Sequence, residues 1–183
     1  VQNVRVYGVY YHQTSSALAD CTFDVRDILS GFGSIIGGLD VASGLTSVTD
    51  TALAVDGNLA TYATMNNAVG ANVRSKLDIS FTAPAIAGDT LFLKVGSAGG
   101  LADVSLLSNF RVQRYLGNRE VGAPVSLSTF LSIRLLAGDT EHELALVSDV
   151  PFDRVKILSG GIVEALTALR VFEVQIHPAI AIP

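Results

Sequence analysis

"LRVFEVQIH", residues 169–177, mixes Val, Phe and Ile with Arg, Glu and Gln at a period of two. In an extended chain successive side chains point to opposite faces, so such a stretch reads as a half-buried β-strand. Alternation predicts that Phe172, Val174 and Ile176 take the core face, with Val171, Glu173 and Gln175 opposite. It then leaves the Glu173 carboxylate at a crowded edge, where a charge needs a partner.

The same period recurs through the chain. "VRVYGVYY" (4–11), "SKLDISF" (75–81), "TLFLKV" (90–95) and "FRVQRYL" (110–116) show it, as do "LSIRLL" (131–136), "HELALV" (142–147) and "RVKIL" (154–158). Turn formers separate them: Ala83-Pro84, Ala87-Gly88-Asp89, Gly117-Asn118, Ala137-Gly138-Asp139 and Asp149-Val150-Pro151. About eight strands with short connections predict an all-β chain folded as an antiparallel jelly-roll sandwich. A short helix is expected in "LADCTFDVRDILSGFG" (18–33), through Phe23, Val25, Ile28 and Leu29. The acidic run "DTEHE" (139–143) reads as a solvated turn. The expected organisation is one sandwich domain over 1–177, with an apolar extension, "PAIAIP", over 178–183.

Composition narrows the function. The 183 residues are 49% hydrophobic and only 16% charged, which provides a large core and few surface charges. With 12 Lys and Arg against 17 Asp and Glu, and no basic cluster, the chain lacks a phosphate-binding footprint, so nucleic acid is not an expected partner. No run reaches the roughly 18 apolar residues of a membrane-spanning helix. The start, "VQNVRVYGVYY", suits a mature, processed or excised chain. The single cysteine, Cys21, has no intrachain partner and reads as a small buried residue.

No catalytic signature emerges. His12, His142 and His177 lie in or beside strand patterns without metal-type spacing. Phosphate loops, nucleophile elbows and dinucleotide fingerprints are missing, so the chain is expected not to be an enzyme. Three Gly-rich segments, 31–45, 96–108 and 159–169, are unusually apolar for loops. They predict either loops folded back over the sandwich ends or an apolar patch that docks on another molecule.

"AVDGNLATYATM", residues 54–65, is the polar break in this apolar chain. Asp56-Gly57-Asn58 is a turn former in its own right. The segment also resembles the A-x-DG-[ND]-x-x-T-[WY] stretch of discoidin-like modules (F5/8 type C, family 32 carbohydrate-binding), which are galactose-binding-like jelly rolls. The resemblance implies a structural Ca²⁺. Asp56 and Glu173 would give carboxylate oxygens, Thr61 its hydroxyl, and backbone carbonyls around Leu53, Asn58 and Thr61 the rest of a shell of about 6–8 oxygens. Tyr62 stands where such relatives often carry Trp, and Tyr10, Tyr11, Phe32 and Tyr115 are the aromatics open to a sugar-stacking role. As a set, "LAVDGNLATYATM", "GDTLFLKVGSAGGL" and "PFDRVKILSGGIVEALTALRVFEV" also resemble repeated modules of secreted Bacteroidetes cell-surface proteins.

The resemblance and the composition together give two functional expectations. The first is a non-enzymatic module, extracellular or on a bacterial cell surface. It would act by protein–protein association, as part of an adhesin or as a self-assembling filament subunit, with a homo-oligomer or another surface protein as partner. The second is a calcium-stabilised, lectin-like module that binds a glycan.

Overall fold

The computed structural model describes residues 25–34, 47–66, 73–97, 110–126, 130, 132–135, 141–159 and 168–179. The expected strand at 4–11, Cys21, His12, Tyr10, Tyr11, most of the three Gly-rich segments, the 137–139 turn and residues 180–183 lie outside them. Among the described residues eleven strands run in chain order: β1 (Val25–Ser34), β2 (Ser47–Thr49), β3 (Ala63–Asn66), β4 (Val73–Ala85), β5 (Thr90–Ser97), β6 (Arg111–Leu116), β7 (Arg119–Ser126), β8 (Ser132–Leu135), β9 (Glu141–Val147), β10 (Phe152–Ser159) and β11 (Ala168–His177). They form a five-stranded sheet, β1-β4-β10-β6-β7, and a six-stranded sheet, β2-β3-β11-β5-β9-β8, in which neighbouring strands pair antiparallel. The helical structure among the described residues is one 3-10 turn, Thr51–Ala54, and no described helix is long and apolar enough to cross a membrane.

The core lies between the two sheets. Leu77, Ile79 and Phe81 of β4, Val155 and Ile157 of β10 and Val112 of β6 meet Leu91, Leu93 and Val95 of β5, Leu144 and Leu146 of β9, and Leu169, Val171, Val174 and Ile176 of β11. Burying each such side chain contributes about 1.5–3 kcal/mol. This single apolar layer is what the period-two sequence pattern encodes.

Several expectations need correction. The 25–34 stretch is a strand paired with β4, not part of a helix. Gly31 and Gly33 weaken a helix there, and an extended chain finds ladder partners along β4. β4 continues through Ala83-Pro84 to Ala85 instead of turning at Ala83. β9 contains the expected strand at 142–147 and begins one residue earlier, so Glu141 to Glu143 of the acidic run are in the strand, not in a solvated turn. β2, β3 and β7 add strands that the periodicity does not announce.

The largest correction is in β11. The register against β5 slips between Val171 and Glu173, so Phe172 is an extra residue. Such a bulge restarts the alternation. Leu169 and Val171 face the core before it, and Val174 and Ile176 face the core after it. Phe172 therefore does not join the core face. It shares the outer face with Glu173.

At one end of the sandwich the tight turns are joined into a network. Asp89, buried between β4 and β5, accepts the N–H of Ile86 at Oδ2 and that of Ala179 at Oδ1, both at 2.8 Å. It thereby fixes Pro178 and Ala179, where the chain leaves β11, against the β4–β5 turn. Arg114 reaches the same end under Gly122 and donates to Ser148 Oγ and Asp149 Oδ1, each at 2.8 Å.

Candidate functional site

The connection from β2 to β3 builds the site. Asp50, with φ 56°, turns the chain out of β2, and the 3-10 turn follows, with Leu53 N–H donating to Asp50 O at 2.9 Å. Gly57 then adopts φ 75°, a left-handed conformation that disfavours a side chain. Asp56 closes an Asx turn, accepting the Asn58 N–H at Oδ1 (2.9 Å). Thr61 Oγ1 lies 2.8 Å from Asp56 Oδ2 and 3.0 Å from Asn58 O, and its single proton serves one of them at a time. Asn58 Oδ1 accepts the Ala60 N–H at 3.0 Å.

This loop crosses the outer face of the six-stranded sheet, where β11 and β5 hold it with opposite charges. Glu173 Oε2 accepts the Gly57 N–H at 2.9 Å, across 116 residues of sequence. Lys94, opposite Glu173 in the ladder, donates from Nζ to Leu59 O at 2.7 Å. The Lys94 ammonium also lies 2.9 Å from Glu141 Oε2 and 4.6 Å from the centre of the Phe172 ring. Tyr62 packs edge-on against Phe172 at 5.1 Å, and the Arg170 guanidinium covers the Tyr62 ring at 4.6 Å. The bulge at Phe172 supplies the apolar platform under the loop and aims Glu173 at Gly57.

Glu173 is 2% exposed, and burial pushes its pKa up to about 7. The Gly57 N–H opposes that rise, and the neighbouring Asp56 carboxylate adds to it. Two carboxylates of like charge thus share one small site, an arrangement that a cation relieves.

Of the residues expected from sequence, Asp56, Asn58, Thr61 and Glu173 come together. Leu53 lies in the preceding 3-10 turn, where its N–H donates to Asp50 O. Among the described residues no three His, Cys, Asp or Glu side chains gather in a metal-type group. The donors here are two carboxylates, a hydroxyl and the Asn58 carbonyl, all oxygen, which fits a hard cation such as Ca²⁺. Lys94 and Glu141 belong to the same site and were not anticipated.

Tyr115, an expected sugar-stacking candidate, is not available for that role. It is 7% exposed, with Arg154 at 4.4 Å and Lys156 at 4.6 Å over its ring. Its hydroxyl donates to Glu120 Oε1 at 2.8 Å and accepts from Lys156 Nζ at 3.0 Å.

Solved structures to which the chain is similar include family 32 carbohydrate-binding modules. That of NanJ from Clostridium perfringens, solved with galactose, is 11% identical over 81% of this chain and 92% of its own, with a TM-score of 0.43. A Streptococcus pneumoniae fucose-binding module is 20% identical over 81% of this chain and 89% of its own, with a TM-score of 0.43. The described strands form a β-sandwich of two antiparallel sheets. A structure of the two CBM32 domains and the M60 catalytic domain of Clostridium perfringens ZmpB matches 85% of this chain at 14% identity and a TM-score of 0.44; this chain spans 14% of that longer one. No protein-family model matches the chain, and no curated protein matches it.

Proposed function

We propose that the chain is a non-catalytic, calcium-stabilised carbohydrate-binding module of an extracellular or cell-surface protein. The observation that carries this reading is the bond from the Gly57 N–H to the buried Glu173 carboxylate, which brings the Asp56–Thr61 turn to the closing strand across 116 residues of sequence. Asp56, Thr61 and Glu173 are positions that the sequence resemblance assigns to a cation, and the oxygen chemistry of two carboxylates and a hydroxyl supports that reading. Bound Ca²⁺ would supply positive charge there, and Asp56, Glu173, Thr61 and the Asn58 carbonyl would hold it. The loop would then be fixed to the closing strand without constant competition from Asp56–Glu173 repulsion. The ligand class comes from the resemblance, and galactose and fucose are the first sugars to try. A glycan array, followed by titration with the sugars that register, tests it. Saturable, sugar-specific binding supports the module, and no retention on any glycan in the presence of calcium refutes the ligand class.

Self-association is a second reading, favoured by a separate observation. Ile86, Leu116 and Val147 are all exposed, Ile86 to 62%, and each sits at the end of the sandwich where Pro178 and Ala179 leave. Sedimentation velocity at rising concentration distinguishes the two readings. A constant monomer contradicts association through this end.

A further inference from the structure

The position of Lys94 raises a question about the same site. Lys94 and Glu173 are register partners on β5 and β11. Directly opposed side chains on one face have Cβ atoms about 4.5–5.5 Å apart, and opposite charges so placed ordinarily pair. These two do not. Glu173 takes the Gly57 N–H, and the Lys94 ammonium turns away to Glu141, to Leu59 O and to the Phe172 ring. Glu143 is the residue opposite Lys94 on β9, yet the ammonium is drawn to Glu141, opposite Gly96 two residues along.

The placement has an electrostatic consequence. A Lys94–Glu173 pair would leave Asp56 as the one unbalanced charge. With Lys94 drawn to Glu141, the Asp56 and Glu173 carboxylates both remain for a divalent ion. We propose that Glu141 and the Phe172 ring hold the Lys94 ammonium off Glu173, and that this separation keeps the Asp56–Glu173 site open to a divalent cation. The inference rests on the metal reading above. Glu141 and Lys94 are positioning residues in it, neither of them a ligand.

The test is calorimetric titration of calcium chloride into metal-stripped protein at neutral pH, on the full chain. Glu141→Gln frees Lys94 to pair with Glu173, and the calcium Kd rises about tenfold or more, as a unit charge entering a partly buried site demands. Lys94→Gln removes both the competitor and its bond to Leu59 O, so it serves as the background, in which Glu141→Gln changes the Kd by less than about threefold. Glu141→Ala, read in the same cycle, keeps the proposal testable should Glu141→Gln fold poorly. The proposal is overturned if Glu141→Gln binds as wild type does. It is also overturned if Glu141→Gln weakens binding as much in the Lys94→Gln background as in the wild type. A wild-type chain that takes up no calcium defeats the metal reading itself, a result distinct from those two.

Discussion

Without calcium, the protein should lose stability as pH rises from about 4.5 to about 7, because Glu173 ionises over that range only at a cost. The folded chain holds the proton on Glu173 up to about 7, whereas the ordinary carboxyl releases it near 4.5. Between those values the native state binds more protons than the unfolded state, so unfolding free energy falls as pH increases and levels off above about 7. A rise of about 2.5 in pKa at about 1.36 kcal/mol each sets an upper limit of about 3.4 kcal/mol. Asp56 and Asn58 are exposed beside the carboxylate, so water screens part of this, and about 2 kcal/mol is expected. Urea unfolding in chelator reads it. With a slope of about 2 kcal/mol per molar, the midpoint should drop by about 1 M between mildly acidic and mildly basic buffer. Burial lowers the pKa of His177, which contributes stability that is lost as pH falls below its ordinary 6.5 and so runs the other way. The informative quantity is therefore the difference between wild type and Glu173→Gln. Identical pH profiles for the two would refute the reasoning about this carboxylate.

Other perturbations follow from the geometry. Gly57→Ala and Gly122→Ala both put a side chain at positive φ, yet they should differ. Nothing lies within 4 Å of a Cβ at Gly57, so about 1–2 kcal/mol of backbone strain is expected. At Gly122 the new Cβ would lie 2.5 Å from Arg114 Nη2, on a side chain pinned by Ser148 and Asp149, so that variant should lose more, about 3 kcal/mol or above, in the same urea assay. Equal losses would contradict this account of Arg114. Asp89→Ala strands two backbone N–H groups and should lower stability by about 2 kcal/mol, with faster amide exchange at Ala179 as the local readout.

The alternation in β4, β5, β9, β10 and β11 made the sandwich legible, because one buried and one outward face impose it. β1 was misread since Val25, Ile28 and Leu29 also fit a helical spacing, and pairing with β4 decides between the two. β7 was hidden by Gly122 and Pro124, which an edge strand tolerates and a central strand does not. In the site, Asp56 and Glu173 stood out as acids where apolar residues surround them. Lys94 did not, because "TLFLKV" reads as a strand with a solvated lysine, whereas Lys94 is 8% exposed under the crossing loop. The adjacent Val171 and Phe172 were the visible trace of the bulge, a break in phase that strict alternation passes over.

The central claim, that Asp56 and Glu173 share a stabilising calcium ion, is tested most directly by calorimetric melting of the wild-type chain at neutral pH, with calcium or with chelator. Calcium at about a hundred times its Kd adds about 2.7 kcal/mol to the native state. For a chain of this length that raises the Tm by about 5–10 °C, and Asp56→Ala should abolish the rise. Superimposable melts with and without calcium would contradict the account.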